Sequence, residues 1–192
     1  STIAPYADLV VTGLAITPSS GVQSGNTITV SWDVQNDGNG NTDGSFYDRV
    51  SIVNTTTGQT LRTANVYYNE AATGNGSIGA GQKRARQFTY TLPNGSGGAG
   101  DIEVTVTTDI FDNEFEYRAG IDAETNNASD TTFSSTLAPY PDLKVEGLTV
   151  TPSTGVQSGN MIDVTWNVNN DGTVAAEPSF YDRVVIVNTT TG

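Results

Sequence analysis

The chain has 192 residues, of which 21 are Asp or Glu and 8 are Lys or Arg, so its formal net charge is −13. A field of this sign repels nucleic acids and anionic lipids, because their binding requires basic patches. The sequence contains no His and no Cys, which excludes ordinary zinc sites and the Ser-His-Asp and Cys-His catalytic arrangements within it. No apolar run approaches the roughly 18 residues of a membrane-spanning helix, so no span is predicted.

Short strands separated by turn clusters are predicted along the first two thirds of the chain. The clearest is 27–36 (TITVSWDVQN), in which Ile28, Val30, Trp32 and Val34 alternate with polar residues, the pattern of a strand with one buried face. The other expected strands are 8–17, 46–54, 59–69, 82–92, 101–108 and 128–137. No segment has a helical apolar stripe. This pattern predicts an all-β fold, a two-sheet antiparallel sandwich with Trp32 in its core.

The beginning of the chain is repeated near its end. Residues 1–58 return as residues 135–192, with 39 of 58 aligned residues identical and Trp32 matched by Trp166. The offset is 134 residues throughout, so no insertion or deletion separates the copies. Tandem repeats of period 134 are therefore predicted: residues 1–134 form one complete sandwich, and residues 135–192 supply the first three strands of a second, incomplete one.

Three strands with one apolar face would leave half a sandwich uncovered and a sheet edge unpaired. Two ways of completing this second sandwich are open. Either the natural chain continues, which is the simpler hypothesis and the one we favour, or another molecule supplies the missing strands. The second alternative would produce a head-to-tail polymer of identical subunits by strand complementation.

The only basic cluster comprises Lys83, Arg84 and Arg86. It lies within a predicted strand, and we expect it on the exposed side of that strand rather than in a ligand site.

Two segments resemble the CARDB domain, an Ig-like module of bacterial and archaeal surface proteins. The early one is VSWDVQNDGNG (30–40), repeated as VTWNVNNDGT (164–173), and the late one is VTVTTDIFDNEFEYRAGIDAETNNAS (104–129). The matching positions are Asn36, Gly38, Asp109, Asn113, Glu116, Glu124, Asn126 and Asn127. The resemblance implies an Ig-like sandwich without enzymatic activity, arranged in tandem in a large secreted protein with an adhesive or scaffolding role.

Calcium is the one cofactor that the sequence suggests, since hard oxygen ligands are plentiful. Residues 37–48 place Asp37, Asn39, Asn41, Asp43, Ser45 and Asp48 at EF-hand-like spacing, but the second copy has Ala175 where the first has Asn41, which favours a variable surface loop. The better candidate is the acidic loop 109–127, where we expect a Ca²⁺ site among Asp109, Asp112, Asn113, Glu114, Glu116, Glu124 and Asn126. Asp122 belongs to the same loop. The alternative is a solvated loop, or one held by hydrogen bonds from Asn126 and Asn127 to the backbone.

The expected function is a non-enzymatic structural or adhesive repeat of a large secreted protein, located at the cell surface or in an extracellular filament. Its expected partners are neighbouring repeats or identical subunits, not nucleic acid. The alternative is a carbohydrate- or protein-binding module, with Tyr67, Tyr68, Tyr90 and Tyr117 as candidate stacking groups. A third possibility is an accessory domain of a secreted hydrolase.

Overall fold

The structure is a computed structural model that describes residues 3–118, 123–177 and 179–190. The chain divides into two compact units, Ser1–Ala138 and Pro139–Gly192. The repeat boundary predicted at residues 134 and 135 concerns the natural array and stays a prediction.

Seven strands in two antiparallel sheets make up the first unit. They are β1 (Leu9–Thr17), β2 (Thr27–Asn36), β3 (Phe46–Asn54), β4 (Gln59–Tyr68), β5 (Lys83–Thr91), β6 (Gly100–Thr107) and β7 (Ala128–Ser135). One sheet has the order β1-β2-β5 and the other the order β4-β3-β6-β7. The prediction of an all-β antiparallel sandwich is therefore confirmed. Two short 3₁₀ turns, Gly95–Gly98 and Ala123–Thr125, interrupt the connections.

The core lies between the two sheets and follows from the period-two alternation of their strands. In β2, Ile28, Val30, Trp32 and Val34 are buried while their neighbours are less so. Val50 and Ile52 of β3 face them from the other sheet as part of the same buried cluster. Burying one face of each sheet against the other removes apolar surface from water, which is the main favourable contribution to folding such a domain.

The second unit contains one antiparallel pair, β8 (Leu143–Thr151) and β9 (Asp163–Asn170). Their register repeats that of β1 and β2 at the offset of 134 residues: Leu143 lies opposite Asn170 as Leu9 lies opposite Asn36. The described residues equivalent to β3, 180–188, form no strand. In the first unit β3 pairs with β4 and β6, and the described residues of the second unit, 139–177 and 179–190, form no counterpart of either partner.

Candidate functional site

The acidic loop after β6 begins with a carboxylate that closes the loop on itself. Asp109 is buried and has a left-handed backbone conformation, with φ of 42°. Its Oδ1 accepts the N–H of Asn113 at 2.9 Å, and its Oδ2 accepts the N–H of Glu114 at 2.8 Å. Asp109 thus organises the start of the loop through its side-chain carboxylate, which accepts two backbone N–H groups. Asp112 and Asn113 of the same turn are exposed.

Two glutamates then attach the loop to distant parts of the sandwich. Oε2 of Glu114 accepts the N–H of Asp43 at 2.9 Å, in the connection between β2 and β3. Oε2 of Glu116 accepts the N–H of Leu9 at 2.8 Å, at the start of β1. The N–H of Tyr117 donates to the carbonyl of Ala7. The loop therefore satisfies backbone donors at the end of the sandwich that the strand ladders leave unpaired.

Asp8 lies beneath the loop and is fully buried. Its Oδ1 accepts a hydrogen bond from Asn126 Nδ2 at 2.9 Å, and its Oδ2 forms an ion pair with Arg118 Nη1 at 3.2 Å. With the nitrogen of its side-chain amide facing acceptors, Asn127 donates to the carbonyls of Leu9 and Ala123 and to Asn126 Oδ1. Asn127 therefore bonds to backbone carbonyls as predicted in the alternative to calcium binding, whereas Asn126 bonds to the side chain of Asp8.

Glu116 has the most perturbed acidity in this loop. Burial raises the pKa of Glu116 to about 8, and the carboxylates of Glu124, Asp109 and Asp8 add to the increase, against the hydrogen bond from Leu9. Its Oε1 is buried and has no hydrogen-bond partner among the described residues. Burial also raises the pKa of Glu114 and of Asp109. Ionising Glu116 at neutral pH is thus unfavourable without a counter-charge.

The predicted calcium ligands are only partly brought together. Glu116 and Asn126 converge on the β1 end, whereas Glu114 reaches the β2–β3 connection and Asp112 and Asn113 face solvent. Glu124 lies exposed in the second 3₁₀ turn, and Asp122 lies outside the described residues. Within the described part of the chain, no three or more carboxylates are placed to share one metal ion. Calcium binding here stays a prediction.

The EF-hand-like spacing of residues 37–48 does not correspond to a loop of converging ligands. Asp48 is fully buried inside the sandwich rather than at the loop, and the Oδ1 of Asn39 accepts the backbone N–H of Tyr6. That hypothesis is wrong because Asp48 already belongs to β3 and faces the core.

A buried polar cluster around Asp48 was not foreseen from sequence. Asp48 Oδ2 accepts hydrogen bonds from Trp32 Nε1 at 3.1 Å and Arg86 Nε at 2.9 Å, and its Oδ1 accepts one from Thr108 Oγ1 at 2.8 Å. Burial raises the pKa of Asp48 while Arg86 and the hydrogen bonds oppose the increase. The signal that could have revealed the cluster is the segment SFYDR, which is identical in both copies although the loop before it differs.

The placement of Arg86 corrects the expectation that the basic cluster lies on the exposed side of its strand. Only Lys83 lies on the exposed side, where it forms an ion pair with Asp33. Arg84 and Arg86 share the inward side of β5 with Phe88 and Tyr90. Arg84 donates to the carbonyls of Asn75 and Ser77, so both arginines hold the structure together.

Asn36, the polar centre of the early motif, uses all its hydrogen-bonding capacity. Its Oδ1 accepts the N–H groups of Asp8 and Gly38, and its Nδ2 donates to the carbonyls of Gly40 and Ile78. A side chain at Gly38 would overlap the Tyr6 carbonyl, so this close approach requires glycine. In the second unit Asn170 repeats three of these four hydrogen bonds, with Asp142, Gly172 and Val174, and Gly172 makes the same close approach to the carbonyl of Tyr140.

Of the four candidate stacking tyrosines, two belong to the interior. The hydroxyls of Tyr68 and Tyr90 donate to the carbonyls of Gly76 and Leu61. Tyr67 is exposed, and its ring lies 4.8 Å from that of Tyr47. Tyr117 is also exposed and lies edge-on to Tyr6.

No protein-family model matches the sequence, and no curated protein matches it. Solved structures do. The CARDB domain of the PF1109 protein from Pyrococcus furiosus, in a crystal structure in complex with di-metal ions, is 20% identical with a TM-score of 0.47, covering 71% of this chain and 100% of that chain. The solution NMR structure of that domain is 18% identical with a TM-score of 0.46, covering 70% and 100%.

The chain is similar to CARDB domains. A further similar structure is the alkylpurine DNA glycosylase AlkC from Pseudomonas fluorescens, bound to DNA containing an abasic site analog. It is 15% identical with a TM-score of 0.42, covering 68% of this chain and 31% of the glycosylase.

Among the described residues of the present chain, no helix has the length and apolar character needed to cross a bilayer.

Proposed function

We propose that this chain is a non-enzymatic structural and adhesive repeat region of a large secreted protein, located at the cell surface or in an extracellular filament. The observation that carries the proposal is that one sandwich begins twice, with the same strand register and the same Trp–Asp hydrogen bond 134 residues apart. Tandem β-sandwiches suit a spacing role, since each unit has its own core and adds a fixed increment of length.

The use of the buried polar residues supports a structural role. Asn36, Asp48 and Asp109 each bond to groups of the protein itself. Their chemistry is therefore engaged in holding strands and loops in place. The sequence also lacks His and Cys, so the usual nucleophile–base pairs are not present in these residues.

The partners that we propose are neighbouring repeats of the same chain or identical subunits arranged head to tail. The net charge of −13 disfavours nucleic acid as a partner.

Immunogold electron microscopy of unpermeabilised source cells, with antibodies against residues 3–118, tests the location. We expect gold at the cell surface or along extracellular filaments. Gold that appears only after permeabilisation would contradict the proposal. Pre-immune serum is the control.

One exposed feature favours a second candidate, the carbohydrate- or protein-binding module. Tyr47, Tyr67 and Phe111 are exposed aromatics whose rings lie 4.8 Å (Tyr47–Tyr67) and 5.6 Å (Tyr47–Phe111) apart. Arg49 lies over the Phe111 ring at 5.8 Å. We expect Y67A to abolish any signal on a glycan array under this hypothesis, with Y117A as the control because Tyr117 contacts a different ring. A signal unaffected by Y67A would exclude this surface.

Calcium at the acidic loop forms a further part of the proposal. It is supported by Oε1 of Glu116, a buried carboxylate oxygen without a partner among the described residues, because such an oxygen is costly unless a proton or a cation satisfies it.

A further inference from the structure

The second unit exposes a face that the first unit buries. A groove of about 530 Å³ lies between β8, β9 and residues 182–186. Ile186 is 70% exposed, whereas its equivalent Ile52 is 0% exposed, and Leu148 is 63% exposed. A contiguous apolar surface of this kind marks a place where another element packs.

A carboxylate lies at the edge of this groove. Trp166 Nε1 donates to Asp182 Oδ2 at 2.9 Å, which reproduces the hydrogen bond between Trp32 and Asp48. Asp182 is exposed in the second unit. Any element that covers the groove also removes Asp182 from water, and a buried carboxylate is strongly destabilising unless a cation pairs with it.

The first unit shows which cation meets this requirement and where it comes from. Arg86 lies directly opposite Trp32 in the register of β2 and β5, 38 residues after Asp48. Thr108, 60 residues after Asp48, supplies the remaining hydrogen bond from the connection after β6. Apolar strands alone would therefore not complete the second unit.

We infer that the open face of the second unit is covered by strands equivalent to β4–β7 that follow it in the same polypeptide, and that they bring an arginine to Asp182. The arginine lies 38 residues after Asp182, opposite Trp166, and a threonine 60 residues after Asp182 completes the set. A second copy of this chain is the less suitable occupant, because its own β4–β7 already cover its first unit and both molecules carry a charge of −13.

The test extends the 192-residue chain by a copy of residues 59–134, since Gly192 is the equivalent of Gly58. Hydrogen exchange read by mass spectrometry compares the peptides FYDRVSIVN (46–54) and FYDRVVIVN (180–188), which differ at one residue. We expect 180–188 to exchange rapidly in the 192-residue chain and to approach the protection of 46–54 in the extended chain.

The arginine is tested by R86Q introduced only into the appended copy. We expect exchange of 180–188 to become roughly 100-fold faster or more, and D182N to restore much of the protection by removing the buried charge. R84Q in the appended copy is the matched control, because Arg84 bonds to carbonyls rather than to Asp48.

Three outcomes would overturn the inference: no protection in the extended chain, equal effects of R86Q and R84Q, or protection of 180–188 in the unextended chain together with dimerisation in sedimentation. The last would identify a second copy as the occupant. None of these outcomes depends on where the protein is located, so failure of the surface labelling above is a separate result.

Discussion

The interior of the first unit depends on a few polar residues whose hydrogen bonds are fully enclosed. Asp48 is one of them, because it is fully buried and receives its compensating charge from Arg86. The net contribution of a buried ion pair to folding stability is small, but removing one partner leaves the other charge unpaired in the core. We therefore expect the pair to contribute more to the choice of packing partner than to net stability.

The substitution R86Q in the first unit tests this. We expect it to lower the free energy of unfolding by about 3–5 kcal/mol, since Asp48 would remain buried without a cation. K83Q on the same strand is the control, because Lys83 pairs with Asp33 at the surface and should cost at most about 1 kcal/mol. Urea denaturation measures both. Equal effects would contradict the assigned role of Arg86.

Asn36 yields a second prediction at this scale. Its side chain makes four hydrogen bonds between β2, the segment before β1 and two loops. Replacing it with Ala leaves buried donors and acceptors unpaired, and each such group costs about 1–3 kcal/mol. We expect N36A to lower the midpoint of urea unfolding well below that of N39A, whose lost hydrogen bond is exposed. A larger effect of N39A would refute this.

Glu116 makes stability depend on pH. Its pKa is raised from 4.5 to about 8, so between these values the folded protein binds a proton that the unfolded chain does not. The Glu116 contribution is complete below about pH 4.5 and is lost as pH rises through 8. With calcium chelated, we expect the free energy of unfolding to decrease across this interval and E116Q to flatten the decrease. An identical slope in E116Q would exclude Glu116 as its source.

At the scale of elements, the acidic loop is the segment most open to external control. Calcium would compete with the proton on Glu116, and a ligand that binds only the folded state stabilises it by about 2.7 kcal/mol at 100-fold its dissociation constant. We expect calcium to raise the melting temperature at pH 8, EDTA to reverse this, and E116Q to abolish it.

D130N on β7 is the matched control for that experiment, since it removes one charge outside the loop. Melting that is unchanged by calcium and EDTA in the unsubstituted protein would exclude the site. The hydrogen-bonded loop described above would then be the full account of these residues.

Strand positions were largely predictable because alternation reflects a local property of each strand. Residues 27–36 and 46–54 are strands in the first unit with the bounds that their patterns predicted. The pairing of Asp48 with Arg86 was not predictable, because it depends on the register of β2 against β5 and on the approach of the two sheets. Arg84 and Arg86 carry charges that a single sequence indicates as surface residues. The same limit applies to residues 180–188, which form no strand although the nearly identical residues 46–54 do so between two hydrogen-bonded neighbours.

At the scale of the whole molecule, the two units differ in the number of strands among their described residues. The first has two packed sheets, whereas the second has one antiparallel pair, and an isolated pair of strands is marginal in water. We therefore expect the 192-residue chain to show one cooperative urea transition, with an m-value that corresponds to about 138 residues. Truncation after Ala138 should leave the m-value and the midpoint unchanged. A second transition lost on truncation would contradict this.

The distance along the chain between Asp48 and its partners has a consequence for synthesis on the ribosome. Trp32 and Asp48 emerge first, Arg86 follows 38 residues later and Thr108 follows after 60. At about 5–20 residues per second, the carboxylate waits about 3 to 12 seconds for its full set of partners. During that time a hydrated charge lies at the edge of the apolar face, so burying this face before Arg86 arrives would leave the Asp48 carboxylate unpaired and would be unfavourable.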